Sequence, residues 1–419
     1  MTNNTSLNMP RPKILFLAHL LPYPLDGGGQ IKSYHTLRLL SERYDVTMLA
    51  LIRRDEEREN AKYLEPFCIG GVHCYLLKRN ALSNVTNALV ALLTNRSFLV
   101  SRDTERELAA AMCFTCYFSL PPYPVIHVDH LQMMPFVPRD MTEPIPIVLD
   151  QHNVEHRIPK RLSETPSANP LMRWYAGIEW RKLRRFELAT MRRADVSLTV
   201  SDEDRDAFVA LAPDLADKIV TYPIGVDTDY FAVAERAPDA SDLLSIGTMY
   251  WMPNVDAATW FVSDILPLVR HAKPDARFVI VGAKPTPEIV ALGQRDAGVV
   301  VTGTVPDVRP FAATCGVFIV PLRSGSGMRV KILNALSMGL PVVSTTVGAE
   351  GIGVTHGTNI LLADTPRVFA DAVLQVLNDR ALADRLGANG RRLMEERYGW
   401  NAVGRQLFAV YDRVLGNGV

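Results

Sequence analysis

Apolar and polar positions form blocks along this chain that are typical of strands and helices in turn. Apolar runs of strand length recur from residue 13 onward, and stretches with helical spacing separate them. In the first half, strands are predicted at 13–18, 46–51, 125–128, 147–149 and 194–200, with helices at 30–42 and from about residue 170. This alternation predicts a parallel sheet with helices on both faces.

The same rhythm restarts after residues 223–240, where Pro, Asp and Ala dominate and the periodicity fades. Strands are predicted there at 243–247, 277–281, 299–302, 317–320 and 342–345, and helices at 255–269, 368–378, 382–398 and 401–415. We therefore predict an α/β protein of two doubly wound domains. Because open parallel sheets bind ligands at the carboxyl ends of their strands, the substrate is expected in a cleft between the domains.

Composition narrows the class of protein. The 419 residues are 48% hydrophobic and 21% charged, which is typical of a globular chain of two domains. Lys plus Arg equals Asp plus Glu at 45 each, so no global charge steers the chain to nucleic acid. The polar N-terminus and the absence of a long apolar run predict a cytoplasmic protein without a signal peptide or membrane span.

The five cysteines are few and odd in number, and most lie in apolar runs. Cys113 and Cys116 form a CxxC pair, but no second pair or nearby histidine completes a zinc site. We therefore predict buried, reduced thiols in a reducing compartment.

The clearest chemical signal lies in residues 323–341, which read RSGSGMRVKILNALSMGLP. Glycines at 325 and 327 lead into an amphipathic helix with Arg329 and Lys331 in its first turn. Glycines let the backbone approach an anion, and a helix N-terminus adds N–H donors and partial positive charge. Two cations there predict a site for the pyrophosphate of a nucleotide. The alternative is a solvated Arg and Lys after an ordinary loop.

A second glycine-rich loop, Gly27 to Gly29, follows the first predicted strand. It matches neither the G-x-G-x-x-G fingerprint nor a P-loop. A tight turn would explain it, but its place at the carboxyl end of a first strand favours ligand binding.

Five stretches, in order along nearly the whole chain, resemble retaining glycosyltransferases of the two-domain GT-B fold, glycosyltransferase family four (group 1). They are 21–31 (LPYPLDGGGQI), 149–156 (LDQHNVEH), 224–231 (IGVDTDYF), 303–309 (GTVPDVR), and the loop and helix at 323–343. The fragments 247–257 (GTMYWMPNVDA) and 348–352 (GAEGI) resemble the subgroup that works in bacterial exopolysaccharide assembly.

This resemblance implies transfer of a sugar from a nucleotide-diphosphate sugar to a glycan, lipid-linked glycan or small molecule, with retention of anomeric configuration. It implies an acceptor-binding domain at residues 1–222, completed by a terminal helix at 402–419 that crosses back, and a donor-binding domain at 223–401. Neither a cofactor nor a metal is implied, and the expected partners are the nucleotide sugar and the acceptor.

The resemblance also implies roles for individual residues. The catalytic group would be His152, Arg329 and Lys331. The donor site would comprise Gly28, Gly29, Gly247, Gly327, Met328, Asn334 and Glu350, and the acceptor site Asp26, Gly27 and His130. His152 follows a strand within a polar cluster, which favours function over a satisfied strand-end histidine. His127 and His130 either line the acceptor side or face solvent, and Asp129 is a weaker candidate.

The chain departs from the family pattern at several positions. Ser326 and Asn334 stand where the family often has two glutamates, and an amide pairs more weakly with a ribose hydroxyl than a carboxylate does. Met249 and Asn254 stand near the places of an Arg and a Lys, so Arg329 and Lys331 are expected to supply that charge. Asp227-Thr-Asp229 has metal-like spacing but lies in the family's Gly-Val-Asp stretch, so metal independence is predicted.

Other interpretations stay open. The basic residues between 173 and 193 form either a cationic face for anionic lipid or a polyprenyl-diphosphate acceptor, or a solvated helix with Arg181 and Arg185 near Glu187. The apolar piece at 88–93 is either a second peripheral membrane contact or core. The alternative functions are a nucleotide-sugar epimerase of the same fold and a non-catalytic nucleotide-sugar-binding protein.

Overall fold

The computed structural model describes residues 11–416 except 80, 121, 142, 166–168 and 326, and the side chains of 81–84 also stay undescribed. Ser326, one of the predicted departures, therefore lies outside the described residues. The chain divides into two compact units. Unit 1 comprises Met1–Tyr222 and Gly404–Val419, and unit 2 comprises Pro223–Val403.

Unit 1 contains a sheet of seven parallel strands in the order β3-β2-β1-β4-β5-β6-β7. The strands are β1 Lys13–Ala18, β2 Asp45–Ile52, β3 Val72–Leu76, β4 Ile126–Asp129, β5 Ile147–Asp150, β6 Val196–Thr199 and β7 Ile219–Thr221. Every residue of β4, β5 and β6 is buried, as expected for parallel strands covered on both faces. The strand order reverses between β1 and β4, where ligands of such sheets bind.

Among the described residues before position 222, seven α-helices belong to unit 1. They are α1 Gly28–Arg43, α2 Ala81–Leu93, α3 Phe98–Ser101, α4 Arg106–Phe118, α5 Arg157–Glu164, α6 Pro170–Arg193 and α7 Asp202–Leu211. The start of α6 follows from local sequence, because Asn169 accepts hydrogen bonds from the backbone N–H groups of residues 171 and 172 and Pro170 needs no such partner.

Unit 2 contains a second parallel sheet of six strands in the order β10-β9-β8-β11-β12-β13. The strands are β8 Asp242–Ile246, β9 Phe278–Val281, β10 Val299–Gly303, β11 Cys315–Val320, β12 Val342–Ser344 and β13 Leu361–Leu362. The helices of unit 2 are α8 Met252–Trp260, α9 Leu266–Ala272, α10 Pro287–Arg295, α11 Val330–Ser337, α12 Pro366–Asn378 and α13 Arg380–Leu393, and the first residues of α14 Trp400–Val414 also belong to it. This sheet reverses between β8 and β11.

The terminal helix α14 begins in unit 2 and ends in unit 1. In unit 1, Gly404 approaches Leu39 so closely that a Cβ would lie 2.9 Å from its Cδ2. The helix predicted at 401–415 is confirmed, and its residues Leu407 and Tyr411 are buried. Leu407 and Tyr411 of α14 therefore belong to the interior of unit 1.

All the predicted strands are confirmed within two residues at each end, and three strands, β3, β7 and β13, were missed. The helix predicted at 255–269 is wrong as a single element, because a π-helical turn at Phe261–Ile265 separates α8 from α9. A similar turn, Met394–Tyr398, ends α13. The prediction of buried thiols is wrong for Cys113, which is exposed, and holds for Cys68 and Cys315.

Candidate functional site

The carboxyl edge of the first sheet gathers a buried polar cluster. Asp129 ends β4 and lies opposite Ala18, the last residue of β1, and Asp150, the last residue of β5. The triple glycine after β1 begins α1, whose first turns carry Lys32 and Ser33. Parallel strands end at one edge, so residues far apart in sequence meet there.

Asp129 is the centre of this cluster. Ser33 Oγ lies 2.9 Å from both of its carboxylate oxygens, His130 Nδ1 lies 3.0 Å from Oδ2, and His152 Nε2 lies 2.7 Å from Oδ1. Burial would raise the pKa of Asp129, but the two imidazoles outweigh burial and hold that pKa well below its usual value. An ionised carboxylate only accepts, so both histidines donate to it. Asp129, the weaker candidate from sequence, is therefore the residue to which both histidines are hydrogen-bonded.

This arrangement fixes the chemical state of His152. Burial and the neighbouring His130 lower the pKa of His152 to about 4, so its ring is neutral at pH 7. With the proton on Nε2, the buried Nδ1 is a lone-pair acceptor, and it has no hydrogen-bond partner among the described residues. The two imidazoles stack with ring centroids 3.6 Å apart. His152 can therefore accept a hydrogen bond from a ligand hydroxyl.

Gly29 lies directly against this acceptor. A Cβ at Gly29 would stand 3.5 Å from His152 Nδ1 and 3.8 Å from His130 Nε2. His130 itself has a φ of 79°, in the left-handed region. Burial opposes protonation of His130, yet the carboxylate of Asp129 raises its pKa, so this ring takes up a proton more readily than His152 does. Of the predicted unit 1 site residues, the structure brings these three together.

A second buried pair supports the cluster. Lys32 donates to Asp150, and both side chains are 0% exposed. Asp150 Oδ2 lies 3.9 Å from His152 Nε2 and 4.0 Å from His127 Nε2. His127 Nδ1 lies 2.9 Å from the hydroxyl of Tyr411. His127 is thus part of the interior, which corrects the alternative that it faces solvent.

The other predicted residues of the first glycine-rich loop are not among the residues that contact the Asp129 cluster. Asp26 is exposed, and Gly27 occupies the N-cap position of α1 with extended backbone. Gly28 is the first residue of that helix. Their acceptor and donor roles stay predictions.

At the carboxyl edge of the second sheet, Lys331 reaches the loop after β8. Its Nζ donates to Asn254 Oδ1 at 2.8 Å, and Asn254 Nδ2 donates to the carbonyl of Thr248 at 3.0 Å. A Cβ at Gly247 would lie 2.8 Å from Nζ and 2.7 Å from Asn254 Nδ2, so this position has little room for a side chain. The ammonium group of Lys331 therefore lies beside Asn254, which stands near the place of a basic residue in the family. This is where we expected Lys331 to supply the missing positive charge.

The charge state of Lys331 depends on its surroundings. Burial, followed by repulsion from Arg329, lowers the pKa of Lys331 to about 7. The partner of its ammonium group is a neutral amide. A ligand with negative charge would favour the ammonium form of this lysine.

Arg329 precedes α11 at its N-cap position and is buried, at 5% exposure. Its guanidinium donates to the carbonyl of Gly327, and a Cβ at Gly325 would lie 2.7 Å from its Nη2. Gly325 and Gly327 have φ values of 133° and 80°, which disfavour other residues. The glycine loop thus wraps around the arginine at the start of a helix.

Three other predicted donor residues occupy nearby segments. Met328 is buried, and Asn334 and Glu350 are partly buried. Asn334 lies on α11, one turn beyond Lys331. Asp227 Oδ1 accepts from the backbone N–H groups of Asp229 and Tyr230, so this carboxylate shapes a turn. The nucleotide roles of the first three stay predictions, as does metal independence.

The basic helix α6 uses several of its charges internally. Lys182 donates to the carbonyls of Ala91 and Thr94, and Arg192 pairs with Asp214. Glu187 is buried and lies 2.5 Å from His156 Nδ1, so the prediction that it supports a solvated stripe is wrong. None of the helices described is both long and apolar enough to cross a membrane.

Comparison with known proteins finds a family match within unit 2. Residues 240–379, all in unit 2, match the model of the family described as "Glycosyl transferases group 1". A protein of Klebsiella pneumoniae described as "Uncharacterized 44.6 kDa protein in cps region" is 21% identical over 94% of this chain and 99% of its own length. A GDP-mannose-dependent alpha-(1-6)-phosphatidylinositol monomannoside mannosyltransferase of Mycobacterium tuberculosis is 31% identical over 51% of this chain and 60% of its length.

Solved structures share the fold. Anabaena Alr3699/HepE in complex with UDP has a TM-score of 0.61 at 15% identity, covering 96% of this chain and all (100%) of that one. Sucrose-phosphate synthase of Thermosynechococcus elongatus has a TM-score of 0.65 at 16% identity, covering 97% and 100%. The predicted α/β fold of two Rossmann-like, parallel-sheet domains is thereby confirmed, and the predicted group 1 family is supported over unit 2.

Proposed function

We propose that this protein is a glycosyltransferase that moves a sugar from a nucleoside-diphosphate sugar to an acceptor in bacterial polysaccharide or glycoconjugate biosynthesis. The observation that carries the proposal is the pair Arg329 and Lys331 at the carboxyl edge of the second sheet. One cation lies inside a glycine loop at a helix start, and the other lies against Gly247. Both positions suit a diphosphate.

The chemistry of sugar transfer explains why such a pair is useful. Negative charge develops on the departing diphosphate, and fixed cations with backbone N–H groups stabilise it. Lys331 has a lowered pKa in the free protein, so an arriving diphosphate would stabilise its ammonium form. We propose that these groups replace a metal ion in this role.

We assign His152 to the sugar. Its unprotonated Nδ1 can accept a hydrogen bond from a sugar hydroxyl, while Asp129 holds the ring in one tautomer. Asp129 receives hydrogen bonds from three side chains, which makes it a poor nucleophile. We therefore propose transfer without a carboxylate nucleophile. From the resemblance to retaining glycosyltransferases we further propose retention of configuration, the departing phosphate taking the acceptor proton.

The proposal for the acceptor has weaker support than the proposal for the donor. The mycobacterial relative is described as acting on a phosphatidylinositol monomannoside, so a lipid-linked glycan is favoured over a free sugar. Peripheral contact with a membrane would accompany such an acceptor. The family description favours transfer over the alternatives of an epimerase and a non-catalytic binding protein.

A thermal titration tests the proposal. The protein is mixed with UDP, GDP, ADP or dTDP, and its melting temperature is followed. A ligand at about 100 times its Kd stabilises the native state by about 2.7 kcal/mol, so the correct nucleotide raises the melting temperature clearly. Arg367→Ala, at an exposed pair with Asp371, serves as the control, and Arg329→Ala should lose the shift.

Absence of a shift with every nucleotide would overturn the proposal in favour of a lost site. When the base is known, consumption of the matching nucleotide sugar with and without a lipid-linked acceptor separates transfer from epimerisation. An epimerase changes the donor without any acceptor.

A further inference from the structure

Unit 1 contains a cavity that the proposed chemistry does not use. Its volume is about 700 Å³, within the range of small-molecule sites. Its lining consists of residues 95–97, 100 and 104 in and around α3, residues 134, 135 and 139, and residues of the last turns of α6, and it includes no residue of the Asp129 cluster. Its apolar wall includes Val100, Met134 and Phe186.

The polar wall of the cavity is strongly positive. Arg96, Arg139 and Arg193 line it, and its lining among the described residues includes no Asp or Glu. Arg193 is partly buried and donates from Nη2 to the carbonyls of Val137 and Pro138, at 3.0 Å and 2.5 Å. Those carbonyls orient the guanidinium but leave its charge uncompensated.

The neighbouring charges confirm this imbalance. Burial, followed by repulsion from Arg139, lowers the pKa of Arg193. Within the described part of the chain, none of the three cavity arginines takes part in an ion pair. Like charges held together without a carboxylate are unfavourable, and an anion in the cavity would remove that cost.

An apolar surface adjoins the charged cavity. The helix α2 ends at Leu93, two residues before the cavity residue Asn95, and Leu93 is 87% exposed. Leu89 and Val90 on the same helix are also exposed. Lys182 of α6 donates to backbone carbonyls at residues 91 and 94, so it fastens the end of α2 to the helix that lines the cavity.

The geometry points to a binding site for one lipid phosphate, with the phosphate group among Arg96, Arg139 and Arg193 and the apolar tail along the exposed residues of α2. Arginine suits this ligand, because its planar fork binds phosphate oxygens in pairs. The site adds an acceptor-binding role to the proposed function, because it would hold the phosphate of a lipid-linked acceptor. That role rests on the proposed function, whereas lipid phosphate binding does not.

Calorimetry with farnesyl diphosphate tests the site, with inorganic diphosphate and farnesol as separate probes for the charge and the tail. The variant Arg96→Gln/Arg139→Gln removes two exposed charges and leaves the internal bonds of Arg193 in place. Arg192→Gln is the matched control, because this neighbour pairs with Asp214 outside the cavity. A third variant, Arg329→Gln, reports on binding of the probe at the nucleotide site.

We expect farnesyl diphosphate to bind the unaltered protein and Arg192→Gln equally, and the double variant at least about tenfold more weakly, because charged hydrogen bonds are lost. Inorganic diphosphate and farnesol alone should bind much more weakly to this site. Equal affinity in the double variant would overturn the inference, and so would a loss confined to Arg329→Gln. If inorganic diphosphate bound as tightly as farnesyl diphosphate, the assignment of the apolar tail to the exposed residues of α2 would be overturned.

The outcome separates this inference from the proposed function. Nucleoside diphosphates shift the melting temperature through Arg329 in unit 2, whereas the lipid probe responds to arginines of unit 1. A nucleotide response without a lipid response would remove the cavity assignment alone. The reverse result would remove the transferase proposal and leave a lipid phosphate site.

Discussion

The two sheets reverse strand order in the same way, but the polar groups at their reversal points differ in charge. In unit 1, Asp129 and Asp150 are surrounded by Ser33, Lys32 and imidazoles, so each buried acid already has donors. In unit 2, the ammonium group of Lys331 has a neutral amide partner. One edge is compensated internally and suits neutral hydroxyls, while the other stays positive and suits a diphosphate.

The largest expected effect concerns the compensated edge. Lys32→Met leaves the fully buried Asp150 without its cation, and breaking such a pair costs about 3–5 kcal/mol. Hydrogen exchange followed by mass spectrometry should show faster exchange across β4 and β5 and little change in β8 and β11. The comparison thus separates the stability of unit 1 from that of unit 2.

Two further variants sharpen this result. Lys78→Met breaks an ion pair whose side chains are 64% and 65% exposed, so solvent screening should make its effect on stability far smaller than that of Lys32→Met. Lys32→Met combined with Asp150→Leu removes both charges and should recover most of the loss. Unchanged exchange in Lys32→Met would refute the importance of the pair.

The next largest effect concerns the positive edge. Arg329→Ala should weaken binding of the matching nucleoside diphosphate by about 1.5–3 kcal/mol, the scale of a charged hydrogen bond. Calorimetry measures the change, with exposed Arg367→Ala as the control for general loss of positive charge. Wild-type affinity in Arg329→Ala would remove this residue from the site.

A smaller effect should appear as pH rises. The pKa of Lys331 is lowered to about 7, so the free protein loses the ammonium form above that pH. Affinity for a nucleoside diphosphate should therefore fall above about pH 7, by at most about tenfold per pH unit. Calorimetry between about pH 7 and about pH 9 checks this, and Lys331→Met should bind weakly with little pH dependence.

The same lowered pKa affects folding with a definite sign. Between about 7 and the ordinary value of 10.5, the unfolded chain binds more protons at this lysine than the native chain does. The contribution of Lys331 to the free energy of unfolding therefore rises with pH across that interval. For the binding prediction above, a steep pH dependence of nucleotide affinity in Lys331→Met would show that a group other than Lys331 causes the fall in affinity.

The smallest effect on stability is expected at Gly29. A methyl group there makes ordinary contact with His152 Nδ1 at 3.5 Å, so Gly29→Ala should change the free energy of unfolding by less than about 1 kcal/mol. It should nevertheless impair sugar transfer by covering the acceptor nitrogen, which donor consumption would reveal. Normal turnover would mean that the sugar does not use Nδ1.

Gly282 provides the contrasting substitution in unit 2. A Cβ there would lie 1.7 Å from the carbonyl oxygen of Gly247, so Gly282→Ala must displace backbone. We expect loss of stability in unit 2 rather than a selective loss of turnover. The two glycines thus distinguish ligand access from backbone packing.

The sequence predicted most strands because buried parallel strands are continuous apolar runs, as in β9 and β11. It missed β3, whose residues are mostly partly buried, and β7, which has three residues. It also missed the π turn after α8, because Phe261 and Ile265 keep an apolar spacing compatible with a continuous helix.

Local motifs singled out His152, Arg329 and Lys331, which lie at the carboxyl edges of the two sheets, and their roles stay predictions. Lys32 and Ser33 were missed, although they lie only three and four residues after Gly29, the last residue of the triple glycine. Their partners are 118 and 96 residues away, at the ends of other strands. Local spacing contains no information on such pairs, which arise only when parallel strands end at a common edge.

The placement of α14 has a consequence for synthesis on the ribosome. Unit 1 begins at the start of the chain, yet Leu407 and Tyr411 enter its interior only after all of unit 2 has been translated. Until then, His127 lacks its hydroxyl partner and the surface around Leu39 stays uncovered. Nascent unit 1 must therefore remain incomplete and open to chaperones throughout translation of the intervening unit, which can fold first.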